Sequence, residues 1–337
     1  MSDPFPFNTV ILGRLSQETI INSKNEVFID KPGGNLLYTA YGYHLWGSHA
    51  GLISRIGQNF PKDWIFGIEQ KGFDITGITR APGDIDARRF YAIQEGQIRI
   101  DNPQFYFNDL SLPFPKELLG YSSDQTRLDN RKAGSLFTIS PEDIPADYFA
   151  ARFLLVCPLD FKTHSLVPAF FRSKSGCEVI FHPSRSYLNS SFYHDFPPII
   201  RGATAVIASE QNLLELFLGK SEDIWEIAET IADFGVEIVV VTRENKGYLL
   251  FNSRKQNRTI IPAYPSQLID PIGADNAFCG GFLAGYTNHF EPVRAAQMGS
   301  VTASIKIQGS TAEFLLGTLP ELALARLEVI QDQTTVC

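Results

Sequence analysis

Four short, predominantly apolar runs constrain this chain most: Phe153–Val156, Val179–Phe181, Ala203–Ala208 and Val236–Val241. Between and after them lie helical patterns at Thr163–Lys174, Ser209–Leu218 and Asp223–Phe234. A strand that is apolar on both faces must be covered on both faces. Alternation with helices is how a parallel sheet achieves that cover. Right-handed crossovers then place helices on either side of the sheet. Three further helices are predicted at Ala274–Thr287, Pro292–Ile307 and Pro320–Ile330. The second half of the chain is therefore expected to be a layered α/β fold.

The first half is less regular. A strand is predicted at Thr9–Leu12, and Pro32-Gly33-Gly34 opens a helix over Asn35–Trp46. An apolar run at Ala50–Ile56 and an amphipathic helix at Pro61–Lys71 follow. Ala87–Ile93 and Gln97–Asp101 read as a hairpin turning at Glu95-Gly96, with the mixed character of a lid exposed on one face. Residues 103–145 carry many Pro, Ser and Asp without periodicity and are expected to form an irregular insertion.

Composition narrows the function. With 337 residues and 44% hydrophobic content, the chain can bury a sizeable core. Its formal net charge is -8 and no basic stripe occurs, which argues against nucleic acid or an anionic membrane as partner. Cys157, Cys177, Cys279 and Cys337 lack paired spacing, so neither a zinc site nor a disulfide framework is expected. No apolar stretch reaches membrane-spanning length. Met1–Phe7 has no leader character, so a cytoplasmic location is the expectation.

The segment richest in chemistry is Asp270-Pro271-Ile272-Gly273-Ala274-Asp275-Asn276-Ala277-Phe278, which opens a Gly- and Ala-rich helix. A helix start presents unpaired N–H groups and the positive end of its dipole, a ready anion site. Gly280, Gly281 and Gly285 would let this helix pack closely on a neighbour.

This segment resembles the C-terminal signature D-T-x-G-A-G-D-x-F of the ribokinase-like (PfkB) carbohydrate and nucleoside kinases. Gly33-Gly34 through Gly47 is similar to the family's N-terminal signature. Gly57–Pro61, Gly72–Asp74, Val239–Gly247 and Arg294–Gly309 resemble other family segments in the same order, so the likeness spans roughly residues 7–315. The resemblance implies one ribokinase-like domain over residues 1–337. It would be a three-layer α/β fold with a mainly parallel central sheet and a small β lid from about 14–35 and 85–105. It also implies ATP and Mg²⁺ as co-substrates, a sugar-like small-molecule ligand and phosphoryl transfer to its hydroxyl. The lid hairpin would offer an edge for pairing into a homodimer. Gly273, Ala274, Asp275 and Asn276 would form the anion hole. Thr242, Glu244, Gly247 and Asp270 would lie toward the nucleotide, and Glu18, Gly33, Gly34 and Tyr38 toward the substrate.

Against that pattern the chain departs at telling positions. The catalytic Asp is replaced by Asn276 and the preceding Gly by Asp275. An amide can orient a hydroxyl but cannot take its proton, and losing a general base costs typically ~10²–10⁴ in rate. A carboxylate ~4 Å from a phosphoryl charge is opposed by roughly 4 kcal/mol at an effective dielectric of 20, unless a cation bridges the two. The metal-organising N-x-x-E falls on Ser209–Asn212 and ends in Asn212, not Glu. Glu244 replaces the first Gly of T-x-G-x-x-G, Tyr38 stands where many members carry a sugar-binding Asn, and Glu18 falls at the family's substrate Asp.

Three readings remain open at this stage. The chain is a kinase homologue with weakened or lost phosphotransfer, or an active kinase using Asp275 as base, or a non-catalytic ligand-binding or regulatory protein. A different transferase or hydrolase on the same fold is a further alternative, since fold does not fix function. His182, at the end of an expected strand, is read as a loop histidine, and His44 and His49 as packing residues around Trp46.

Overall fold

A computed structural model describes residues 7–123, 129–131 and 133–337. Most of the N-terminal stretch inspected for a leader, and residues 124–128 and 132 of the expected irregular insertion, lie outside the described residues. The strands are β1 (Thr9–Leu12), β2 (Ser16–Ile21), β3 (Val27–Gly33), β4 (Gly51–Ile56), β5 (Asp74–Arg80), β6 (Arg88–Gln94) and β7 (Gln97–Arg99). They continue with β8 (Phe153–Val156), β9 (Glu178–Phe181), β10 (Ala205–Ser209), β11 (Ile238–Thr242), β12 (Tyr248–Asn252), β13 (Asn257–Ile261) and β14 (Thr335–Val336).

Ten of these strands form one sheet in the order β14-β13-β12-β11-β10-β9-β8-β1-β4-β5. From β11 through β5 every pairing is parallel, whereas β12, β13 and β14 add antiparallel strands at one edge. The unbroken apolar runs find their explanation in the two faces of this sheet. Ile11, Leu155, Ile207 and Val240 pack into the core on one face. Their neighbours Val10, Leu12, Leu154, Val156, Val206, Val239 and Val241 pack into the core on the other. The expected three-layer α/β architecture is what the chain adopts.

A second, four-stranded sheet runs β3-β2-β6-β7. The expected hairpin is its β6–β7 pair, joined to β2 by a parallel pairing. Three features differ from the sequence reading. The antiparallel edge β12–β14 went unassigned, because Tyr248–Asn252 and Asn257–Ile261 follow a turn and have no helix between them to mark a repeat. Strand β5 has no counterpart among the expected strands. The stretch expected to be irregular holds a helix at Pro103–Asp109 and short 3-10 turns at Lys116–Leu118, Pro141–Asp143 and Ala146–Ala150. Among the described residues, no helix is long and apolar enough to cross a membrane.

Candidate active site

The chain enters the large sheet at β1, builds β4 and β5 to one side, and returns to build β8 to β11 on the other. Strand order reverses at β1, and in open α/β sheets such a switch point opens a crevice at the carboxyl ends of the strands. Contacts across that rim place the helix Ala274–His289 over it. Cys279 Sγ lies 3.4 Å from Nδ1 of His182, just past β9. The Thr242 hydroxyl, at the end of β11, donates to the Asp275 carboxylate.

Gly273 caps this helix with φ 76°, and no side chain caps it. The helix therefore starts at Ala274, with Asp275 and Asn276 in its first turn. Successive helical residues point about 100° apart, so the two side chains leave the helix in different directions. Asp275 turns toward Thr242 and Glu244. Its side chain is exposed to solvent although protein groups surround its base. Crowding raises its pKa, the Thr242 bond lowers it, and the charge of Glu244 raises it again. Asn276 differs: its Oδ1 is buried and has no hydrogen-bond partner in the protein. A buried acceptor left unpaired costs about 1–3 kcal/mol, so the site carries an acceptor suited to a ligand hydroxyl.

On the opposite side, the residues expected to meet a substrate close on one another. Glu18, 1% exposed, accepts from the Tyr38 hydroxyl (2.7 Å), the Ser16 hydroxyl (2.9 Å) and the Gly34 N–H (2.8 Å). Gly33 and Gly34 make that wrap possible. A Cβ on Gly33 would sit 2.1 Å from the Glu18 carboxyl carbon, and Gly34 holds φ 98° with Arg14 O close behind. Burial raises the Glu18 pKa; its hydrogen bonds lower it and the Asp270 charge raises it. The Tyr38 ring, 1% exposed, lies flush on Gly273, where a Cβ would come within 2.2 Å of the ring.

Asp270, expected toward the nucleotide, lies close enough for its charge to act on Glu18 and Tyr38. It is fully buried, accepts from Ile272 N–H (2.8 Å), and its other oxygen lies 3.5 Å from Lys306 Nζ. That separation is an ion pair without a hydrogen bond. Lys306, also fully buried, donates to the carbonyls of Gly309 (2.8 Å) and Asp270 (3.2 Å), and its ammonium stands 5.4 Å from the Tyr38 ring centroid. Burial lowers the Lys306 pKa and raises that of Asp270, each against the charge of the other.

At the end of β11, Glu244 occupies a left-handed conformation, φ 51°, which suits the Gly of the motif far better. Gly247 also has positive φ and lies against Ile261 O. The adjacent cations are engaged: Arg243 Nε bonds Glu210 at 3.0 Å and Lys246 approaches it at 3.9 Å. Asn212 caps nothing with its side chain here; its N–H binds Ser209 Oγ at 3.3 Å. Glu244 and Asp275 bring two carboxylates near one another between the end of β11 and the helix start. No group of residues suited to holding a metal occurs among the described residues.

Sequence reasoning overlooked Lys306, although a charged residue closing the small-residue stretch Met298–Ile305 was a usable signal. It also missed Phe137, whose ring lies 3.5 Å from the Arg14 guanidinium beside the Gly33-Gly34 turn. Nothing in the irregular stretch 103–145 singled that residue out.

Residues 169–318 match the family described as pfkB family carbohydrate kinase. The chain is 26% identical over 278 residues to a cytidine kinase of Thermococcus kodakarensis, covering 82% of this chain and 88% of that one. Its fold is similar to the adenosine kinase of Sinorhizobium meliloti (TM-score 0.71, 17% identity, 96% of this chain and 100% of that one). It is also similar to a putative ribokinase II of E. coli solved with ATP and Mg²⁺ (TM-score 0.68, 15% identity, 96% and 99%).

Proposed function

We propose that the chain is a homologue of the ribokinase-like pfkB kinases, as its fold and the family match over residues 169–318 support, and that it binds a polyhydroxylated small molecule while phosphotransfer is weakened or lost. The ligand class, a sugar or nucleoside, follows from the family and from the cytidine kinase among its relatives. One observation carries the proposal: at the base position stands an amide, Asn276, whose buried Oδ1 is an acceptor without a partner. Such a group can receive a hydrogen bond from a substrate hydroxyl and so favour binding. It cannot remove the proton, so the alkoxide character needed to attack a phosphoryl group does not develop.

The neighbouring acid does not supply the missing base. Asp275 is hydrogen-bonded to Thr242 and lies near Glu244, and as the residue before Asn276 on the helix it leaves the axis about 100° away. Bringing it round would require the helix to start one residue later, and that start is held at Gly273 by the Tyr38 ring. On the nucleotide side, Asp275 and Glu244 together oppose phosphate, and ATP is proposed to bind weakly if at all.

A coupled ATP-consumption screen over pentoses, hexoses and nucleosides tests this reading. Turnover below about 10⁻² s⁻¹ is expected with every acceptor, a loss of ~10² or more from the ~1–100 s⁻¹ of kinases. Turnover within the kinase range would overturn it. The double change Asp275→Gly with Asn276→Asp is expected to raise both phosphate affinity and turnover. No gain in either would mean that the defect lies elsewhere.

A further inference from the structure

We propose that Tyr38 is a built-in stopper of the cleft and that it decides which ligands reach the helix start. The inference rests on the proposed reading of that site as a retained binding cleft. Its evidence is the packing of one side chain. The Tyr38 ring lies against Gly273 so closely that a single added methyl would collide with three ring carbons at 2.2–2.5 Å. No ligand atom fits between them. The ring is held from three sides. The β2 residue Glu18 accepts a hydrogen bond from its hydroxyl at 2.7 Å, Lys306 at the end of the helix Pro292–Lys306 presents an ammonium 5.4 Å from its centroid, and Gly273 supports its face.

Each of these partners is itself buried and tied. Glu18 receives two more hydrogen bonds, and Lys306 is paired with Asp270 and two carbonyls. The stopper thus has one well-defined closed position. That position has an unfilled requirement, because the Asn276 acceptor remains buried and unpaired while the cleft is closed. A ligand carrying a hydroxyl would satisfy Asn276, but only after the tyrosine leaves Gly273 and its hydroxyl leaves Glu18. Tyr38 therefore acts as a selectivity element: a hydroxyl-bearing ligand able to replace the phenol on Glu18 enters, and a simple anion does not.

Calorimetric titration of the full chain with cytidine and with inorganic phosphate tests this, using wild type, Tyr38→Phe and Tyr38→Ala. Wild type is expected to show no saturable binding of phosphate at millimolar concentrations. Tyr38→Ala should bind phosphate, and should bind cytidine at least tenfold more tightly than wild type. Tyr38→Phe, which keeps the ring and loses the Glu18 bond, should remain closed to phosphate. The proposal fails if wild type binds phosphate as well as Tyr38→Ala does, or if a cooperatively folded Tyr38→Ala gains no binding. Should that variant not fold, Tyr38→Leu retains apolar volume without the ring and carries the same expectation. Turnover separates this inference from the functional reading. Binding gained without ATP consumption supports both, whereas binding gained with turnover in the kinase range keeps the stopper and overturns the assignment of lost catalysis to Asn276.

Discussion

Lys306 and Asp270 form a pair whose partners are fully buried. Removing either charge alone leaves the other in a low-dielectric interior, whereas removing both leaves none. Lys306→Met is therefore expected to destabilise the protein by about 3–5 kcal/mol. Lys306→Met combined with Asp270→Asn should recover a large part of that loss. Urea unfolding of the four proteins measures the coupling. Equal loss in the single and double variants would show that the pair is not what holds this corner. The same residue scale explains why substitutions at neighbouring positions differ in meaning. Asn276 leaves a buried acceptor unpaired, Asp275 places a carboxylate near Glu244, and Glu244 holds a side chain in a turn suited to glycine.

At the scale of elements, the site is assembled by two helices that touch through their backbones. Helix Asn35–His44 carries Tyr38 and helix Ala274–His289 begins at Gly273. A Cβ on Gly280 would lie 2.1 Å from Thr39 O, and one on Gly42 would lie 2.7 Å from Ala277 O. Neither neighbour is a flexible side chain, so the helices must separate to admit a methyl. Gly280→Ala is expected to cost about 1–3 kcal/mol by overpacking. Because separation also lifts Tyr38 from Gly273, the variant should show faster hydrogen exchange over residues 273–277. Unchanged stability and exchange would mean that this contact is looser than the packing indicates.

Over the whole molecule, the double-sided sheet buries titratable groups as well as apolar ones. His164, under the sheet, and His182, at the end of β9, both have pKa values pushed down to about 4 by burial. An unfolded histidine takes up its proton near pH 6.5. Between pH 6.5 and 4 the unfolded chain thus binds protons that the folded chain refuses, and stability falls as pH falls. Each histidine accounts for of order 3 kcal/mol at pH 4. Buried carboxyls such as Glu18 have raised pKa values and act in the opposite sense, losing stability as pH rises above about 4.5. Comparison with a His164→Gln, His182→Gln variant isolates the histidine contribution. Its unfolding free energy should decline less steeply than wild type from pH 6.5 to pH 4, and parallel slopes would refute the assignment.

Strand and helix order in the second half was legible in the sequence, because hydrophobic period and run length are local properties and a sheet covered on both faces leaves a strong local trace. The substitution of Asn276 was legible for the same reason: a motif fixes residue type by position along the chain. The antiparallel edge at β12–β14 was not, since nothing local tells a strand which neighbour it will join. Nor could the sequence say which way Asp275 turns, that Lys306 would meet Asp270, or that Tyr38 would lie on Gly273. Those depend on residues far apart in the chain, 235 positions in the last case, being brought within van der Waals contact. Residue chemistry was written in the sequence, and which side chains meet at the helix start was decided only by how the helices pack.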